Sequence, residues 1–121
     1  MKEHDLQCQI VDYLRKKGIF CFAIPNGFMA PKNKRCPECG FKTKFNIYGY
    51  INKLKKEGLT PGAPDLEVLL PKGKIIHLEL KVGKNKSTVN QDNFAYACRE
   101  LGHKYHVVRS LEDVMELGLW K

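Results

Sequence analysis

The chain has 121 residues, of which 43% are hydrophobic, and it carries a net charge of +8. This length suits one domain with one hydrophobic core, and the composition excludes an intrinsically disordered chain. No apolar run approaches the ~20 residues needed to cross a bilayer, and residues 1–5 do not lead into the apolar stretch of a signal peptide. We therefore predict a soluble, intracellular protein. The excess of Lys and Arg favours a polyanionic partner, although many small basic proteins bind none.

The hydrophobic pattern predicts alternating helices and strands. The predicted elements are, in chain order, a helix over 5–17, a buried strand over 19–24, a basic irregular segment over 27–45, a short helix over 46–57, strands over 65–70 and 74–82, a helix over 88–101, a strand over 105–108 and a helix over 111–117. The order α-β-(α)-β-β-α-β-α predicts one α/β domain over residues 1–121, with a central mixed sheet flanked by helices. A basic, cysteine-containing insertion occupies about residues 27–58.

Two charged residues, Glu79 and Lys81, interrupt the apolar run over residues 75–82. If a hairpin turn has its tip at residues 72–73, Asp65 faces Leu80 on the neighbouring strand. A slip by one residue, through a longer loop or a bulge, places Asp65 opposite Glu79 instead. In either register Asp65, Glu79 and Lys81 converge at one end of the hairpin.

Two neighbouring carboxylates repel each other unless a positive charge lies between them, and a divalent metal ion supplies such a charge. The ion would also acidify a bound water and stabilise the charge of a phosphodiester under attack. Lys81 would orient the attacking water or hold the phosphate. The alternative is an ordinary hairpin whose polar face is solvated. His77 lies on the same face, one pair further along, and is predicted to be structural.

Pro64-Asp65 followed by Glu79-Leu80-Lys81 matches the PD-(D/E)xK nuclease motif, and the order of elements matches the restriction-endonuclease-like fold. More narrowly, the chain resembles the VRR-NUC family (virus-type replication-repair nuclease) in the stand-alone form found in phages. The matching positions are Glu3, Asn26, Gly27, residues 62–66, residues 79–81, Gly83, Ser87, Gln91 and Gly102.

The resemblance implies a metal site for Mg²⁺ or Mn²⁺. Asp65 and Glu79 would bind the metal, helped by the main-chain carbonyl of Leu80. Glu3 matches an acidic residue that the family's first helix brings near the metal. Lys81 would be the catalytic lysine.

Gln91 would border this site from the following helix, according to the resemblance. It also has a purely structural interpretation, because Thr88 and Gln91 have the spacing of a capping box. Ser87 could equally be the N-cap residue.

Two basic segments are candidates for DNA binding. Lys84, Lys86 and Ser87 lie in a loop that ends at a helix N-terminus, which suits a DNA phosphate, although an ordinary solvated loop has the same composition. Lys32, Lys34 and Arg35 belong to the basic insertion, which would form a DNA-binding arm.

Cys36 and Cys39 form a CPECG sequence, which is typical of zinc knuckles. Structural zinc needs four ligands, and the chain has no second CxxC pair. Cys21, a histidine or the pair of a second chain could complete a site. The alternative is a reduced turn with two free thiols.

These patterns lead to two hypotheses. The first is a metal-dependent DNA nuclease acting on branched DNA such as Holliday junctions, as a homodimer in the cytoplasm, or in the host cytoplasm if a phage encodes it. The second is a non-catalytic nucleic-acid-binding module, with or without a zinc knuckle. A pure binder gains nothing from two adjacent carboxylates, because acidic residues repel phosphate.

Overall fold

The computed structural model describes residues 1–25, 35–42 and 47–119. Its elements are α1 (Glu3–Lys16), β1 (Phe20–Ala23), α2 (Ile47–Lys56), β2 (Leu66–Leu70), a 3₁₀ turn (Pro71–Gly73), β3 (Lys74–Leu80), α3 (Val89–Glu100), β4 (Lys104–Val108) and α4 (Leu111–Glu116). They form two compact units, one of Met1–Asn26 with Pro61–Lys121 and one of Gly27–Thr60. None of the helices in the described ranges has the length and apolar character needed to cross a membrane.

The sheet has the strand order β1-β2-β3-β4. The first three strands pair antiparallel, and β4 runs parallel to β3, so the sheet is mixed as predicted. A crossover through α3 joins β3 to β4, as a parallel pair requires.

The register between β2 and β3 decides how the charged residues meet. Leu66 pairs with Leu78, and Leu70 pairs with Lys74. Continuing this register by one pair places Asp65 opposite Glu79, which is the register predicted for a longer loop or a bulge. The three-residue turn Pro71–Gly73 sets this register, whereas a two-residue turn would place Asp65 opposite Leu80.

The core lies mainly between one face of the sheet and α1. Leu6, Ile10 and Leu14 follow each other at four-residue intervals and are fully buried. They pack in one cluster with strand residues that include Leu78 and Val108. Burying each such leucine contributes about 1.5–3 kcal/mol to folding. The opposite face of the sheet lies under α3, and the candidate site forms at the end of that face.

The prediction of a buried strand over 19–24 is wrong for β1. Cys21 is buried, but Phe20 is 66% exposed and Phe22 is 42% exposed. In the described part of the chain β1 is an edge strand that pairs with β2 alone. Side chains alternate between the two faces of a strand, so Cys21 lies on the buried face while Phe20 and Phe22 share the opposite face, which stays exposed despite the continuous apolar sequence.

Candidate active site

Asp65 is fixed at the junction of three strands. It follows the fully buried Pro64 and directly precedes β2. Its main-chain carbonyl accepts a hydrogen bond from the N–H of Ile24 over 3.0 Å, at the end of β1. Its carboxylate oxygen Oδ2 accepts from the N–H of Leu80 over 2.9 Å, at the end of β3. The carboxylate is therefore held beside the last residues of β3 before any ligand binds.

Glu79 is a buried carboxylate whose two oxygens are not both hydrogen-bonded in the part of the chain that the structure describes. Its side chain is 2% exposed, which excludes the alternative of a solvated polar face. Oε1 accepts a hydrogen bond from Nε2 of Gln91 over 2.6 Å and lies 3.9 Å from Nζ of Lys81. Oε2 is buried and has no hydrogen-bond partner among the described residues. Burial, and then the negative charge of Asp65, raise the pKa of Glu79 to about 8 against the opposing effect of Lys81.

Gln91 makes the contacts that both of its interpretations require. The hydroxyl of Thr88 accepts a hydrogen bond from the Gln91 N–H over 3.2 Å, and the Gln91 side-chain oxygen accepts from the Thr88 N–H over 2.9 Å. This is the capping box, with Thr88 as the N-cap residue and not Ser87. The remaining amide group of Gln91 reaches Glu79. The Gln91 side chain therefore caps the N-terminus of α3 and also contacts Glu79 of the candidate metal site.

Gly62 supports this arrangement through a close backbone approach. Its φ is +86°, a left-handed conformation that glycine adopts without strain. A Cβ atom at this position would lie 2.7 Å from the main-chain nitrogen of Gln91 and would overlap the main-chain carbonyl of Asn90. A glycine is therefore required for the loop before Asp65 to rest against the first turn of α3.

Lys81 and Glu3 complete the charged group at this end of the sheet. Lys81 is 8% exposed, and its main-chain N–H donates to the carbonyl of Val108 over 3.0 Å. Glu3 lies in the first turn of α1, where burial, and then the charge of Asp65, raise its pKa while Lys81 lowers it. Glu3 and Glu79 therefore both lie within electrostatic range of Asp65 and of the buried Lys81.

The donors at this site fit a hard divalent cation. Carboxylate and carbonyl oxygens are the ligands that Mg²⁺ and Mn²⁺ prefer. The unpartnered Oε2 of Glu79 and the repulsion between Glu79 and Asp65 are features that a bound cation would relieve. Within the described ranges no three His, Cys, Asp or Glu side chains come together closely enough to hold a metal ion. The carboxylates available to such a cation are those of Asp65 and Glu79, and the ligand roles expected for the Leu80 carbonyl and Glu3 stay predictions.

Sequence reasoning missed Glu67, the partner of His77. Oε1 of Glu67 lies 2.7 Å from Nδ1 of His77, and both side chains are largely buried on the same face, two pairs along the ladder from Asp65 and Glu79. The His77 ring also meets the rings of Phe94 and His103 edge-on, at centroid distances of 6.1 and 5.9 Å. Strand alternation was the available signal, because Glu67 lies two residues after Asp65 and therefore on the same face.

Tyr105 was also missed. Its hydroxyl is buried and has no hydrogen-bond partner among the described residues. Burial, and then the charge of Glu79, raise the pKa of this phenol. Tyr105 pairs with His77 across β3 and β4, so it adds an aromatic wall beneath α3 on the same face as the carboxylates.

The predicted DNA-binding loop lies directly after β3. Lys84 and Lys86 are exposed, and Ser87 is half-buried next to the N-cap of α3. Nη1 of Arg109 donates to the carbonyl of Gly83 over 3.1 Å and ties the loop to the end of β4. The start of the loop is therefore anchored to β4, and Lys84 and Lys86 are exposed on it.

The candidates in the insertion belong to the other compact unit. Arg35 is exposed and pairs with Lys42 in an isolated antiparallel bridge, and Cys36 and Cys39 lie in the turn between them. Lys32 and Lys34, like Asn26 and Gly27, lie outside the described residues.

Comparison with known proteins identifies the fold. Among solved structures, the chain is similar to one described as "VRR_NUC domain", with a TM-score of 0.61 and 22% sequence identity over 95% of this chain and 91% of that chain. No protein-family model matches the sequence. A search of curated proteins finds no match. The likeness confirms the predicted fold, a mixed sheet flanked by helices like that of the VRR_NUC domain structure, and at this identity it establishes the fold alone.

Proposed function

We propose that the chain is a divalent-metal-dependent nuclease that hydrolyses phosphodiester bonds in DNA. The observation that carries this proposal is the pairing of Asp65 with Glu79 at the end of β2 and β3, with Glu79 buried and Lys81 3.9 Å from it. Placing the buried Glu79 beside the half-buried Asp65 costs folding free energy, and carboxylates with such perturbed environments are typical of functional sites. The VRR_NUC fold, at 0.61 TM-score, supports the choice of ligand and reaction.

Asp65, Glu79 and the Leu80 carbonyl would hold Mg²⁺ or Mn²⁺. The bound ion supplies charge neutralisation at the scissile phosphate and acidifies water. Gln91 holds Oε1 of Glu79 and leaves Oε2 available for binding. The Leu80 N–H holds Oδ2 of Asp65 and so orients that carboxylate.

Lys81 would act directly on the substrate. Its side chain is 10% exposed, so its ammonium group keeps limited access to the surface. From that position it donates hydrogen bonds to a phosphate oxygen or to the attacking water, and its charge stabilises the negative charge that develops on the phosphate. The exposed Lys84 and Lys86 would contact neighbouring phosphates and set the register of the DNA.

The proposal extends to branched DNA, such as Holliday junctions, as the substrate class and to a homodimer as the active form. Cutting two strands of a junction requires two sites, and the proposed metal site supplies one per chain. This extension rests on the analogy of fold.

The proposed location is the cytoplasm. The five cysteines are all unpaired thiols, which suits the reducing cytoplasm.

A cleavage assay tests the function. Labelled Holliday junctions, flaps and linear duplexes would be incubated with the protein and Mg²⁺, Mn²⁺ or EDTA. Cleavage should require the metal and should fall at least ~100-fold in Lys81→Ala. The control is Lys16→Ala, which removes an exposed lysine that pairs with Asp12 on the surface of α1. Both variants should unfold cooperatively, which would show that they are folded and that any loss of cleavage is not due to misfolding.

The outcomes separate the two hypotheses. Preferential cutting of junctions would support the branched-DNA extension, and equal cutting of duplexes would contradict it while leaving the nuclease proposal intact. Tight DNA binding without cutting under any metal would favour the non-catalytic binding module.

A further inference from the structure

The CPECG turn, residues 36–40, is held by main-chain hydrogen bonds. The N–H of Cys36 donates to the carbonyl of Phe41 over 2.7 Å, and the N–H of Gly40 donates to the carbonyl of Cys36 over 2.9 Å. Gly40 has a φ of +74°, which lets the chain turn back so that Arg35 pairs with Lys42. Both cysteines therefore occupy fixed positions in one tight turn.

The turn favours an ionised sulfur at Cys36. The main-chain N–H groups of Cys39 and Glu38 donate hydrogen bonds to the Cys36 sulfur, the Cys39 thiol interacts with it as well, and together they lower the pKa of Cys36. A thiolate is the form that binds a soft metal. Cys39 is exposed and Cys36 is half-buried, so both sulfurs are accessible.

Two sulfurs are half of a tetrahedral site, because structural zinc has four ligands. Residues 27–60 contain no other cysteine and no histidine. Cys21 and Cys98 are each 6% exposed in the other unit, so neither can act as a ligand without disrupting its packing. We propose that Cys36 and Cys39 bind zinc together with the same pair of a second copy of the chain.

Electrostatics favours such a site over a direct contact between two turns. Residues 27–60 contain eight Lys and Arg against two Glu, a net charge of +6 for this segment. Two copies repel each other unless negative charge lies between them. A zinc ion with four thiolates carries a net charge of about −2 and supplies it. The site would hold two basic segments side by side, where the lysines and arginines of both could contact DNA phosphates. It is independent of the carboxylate site and of the proposed nuclease activity.

The test measures zinc content, mass and ligand type on the full-length chain. The reduced protein would be loaded with zinc, freed of excess metal, and analysed by metal content and light scattering. We expect one zinc per two chains in a species with the mass of two chains. Cobalt substitution should give the intense sulfur-to-metal charge-transfer absorption of four thiolates.

Variants and controls make the result decisive. Cys36→Ser and Cys39→Ser should each lose the zinc, whereas Cys8→Ser, which removes an exposed cysteine of the other unit, should retain it. In the wild-type chain a chelator should remove the cobalt absorption. Failure to retain zinc would overturn the proposal. So would one zinc per chain in a species with the mass of one chain.

Discussion

Gln91 donates a hydrogen bond from Nε2 to Oε1 of Glu79 over 2.6 Å, while its own side-chain oxygen accepts from the N–H of Thr88. The capping box uses the amide oxygen, so the amide group can only point its nitrogen toward the site. The start of α3 and the orientation of the buried carboxylate are therefore set by the same side chain.

Gln91→Ala should lower both stability and cleavage, because it removes the cap and the bond to Glu79 together. We expect a loss of ~1 kcal/mol in unfolding free energy and a fall of about tenfold or more in cleavage rate. Thr88→Ala should cost a similar ~1 kcal/mol and keep most of the cleavage rate. Urea unfolding and single-turnover cleavage measure the two quantities. Equal loss of cleavage in both variants would contradict the role of the Gln91–Glu79 bond.

The metal-free protein should become less stable as the pH rises toward 8. Folded Glu79 keeps its proton up to a pKa of about 8, whereas in the unfolded chain it loses the proton near its ordinary value of 4.5. The folded state therefore binds more protons between these values, and stability falls through this window by up to ~1.4 kcal/mol per pH unit.

Glu79→Gln should remove this contribution, because glutamine does not titrate. The difference in unfolding free energy between the variant and the wild type, measured by urea unfolding in EDTA from pH 5 to 8.5, should grow in favour of the variant as the pH rises. Glu100→Gln, at the exposed end of α3, is the matched control and should show a constant difference. A constant difference for Glu79→Gln as well would contradict the raised pKa.

Gly62→Ala should be far more damaging than the same change at Gly102. Both glycines have positive φ, +86° and +80°, so both alanines carry ~1–2 kcal/mol of backbone strain. The added Cβ meets the backbone of α3 at Gly62 and nothing within 4 Å at Gly102. We expect Gly62→Ala to cost at least ~2 kcal/mol more in unfolding free energy and to reduce cleavage, because α3 must shift with Gln91. Similar stabilities of the two variants would rule out the close approach.

Replacing Lys84 and Lys86 by alanine should weaken DNA binding in a salt-dependent manner. Each lysine that contacts a phosphate contributes about 0.9 to the slope of log affinity against log salt. The double variant should lower that slope by up to ~2, measured by fluorescence anisotropy in EDTA so that no cutting occurs. Lys16→Ala should leave the slope unchanged. An unchanged slope in the double variant would show that the loop does not contact the backbone of the DNA.

The order of elements could be predicted from the sequence, and so could the group of residues at the end of the hairpin. Alternation alone places Glu79 and Lys81 on one face of the predicted strand over 74–82, with Asp65 nearby. Alternation could also have identified Glu67, but a single glutamate in an apolar strand has no visible partner until His77 is placed opposite it.

The sequence by itself determined the identity and order of the helices and strands, because periodicity, turn glycines and caps act over a few neighbouring residues. Only the tertiary structure decided that Asp65 faces Glu79 and not Leu80, because a single extra residue in the turn shifts the whole register. It also decided that Phe20 and Phe22 remain exposed, and that Gln91 reaches Glu79. These outcomes depend on which elements pack against each other, and no local pattern contains that information.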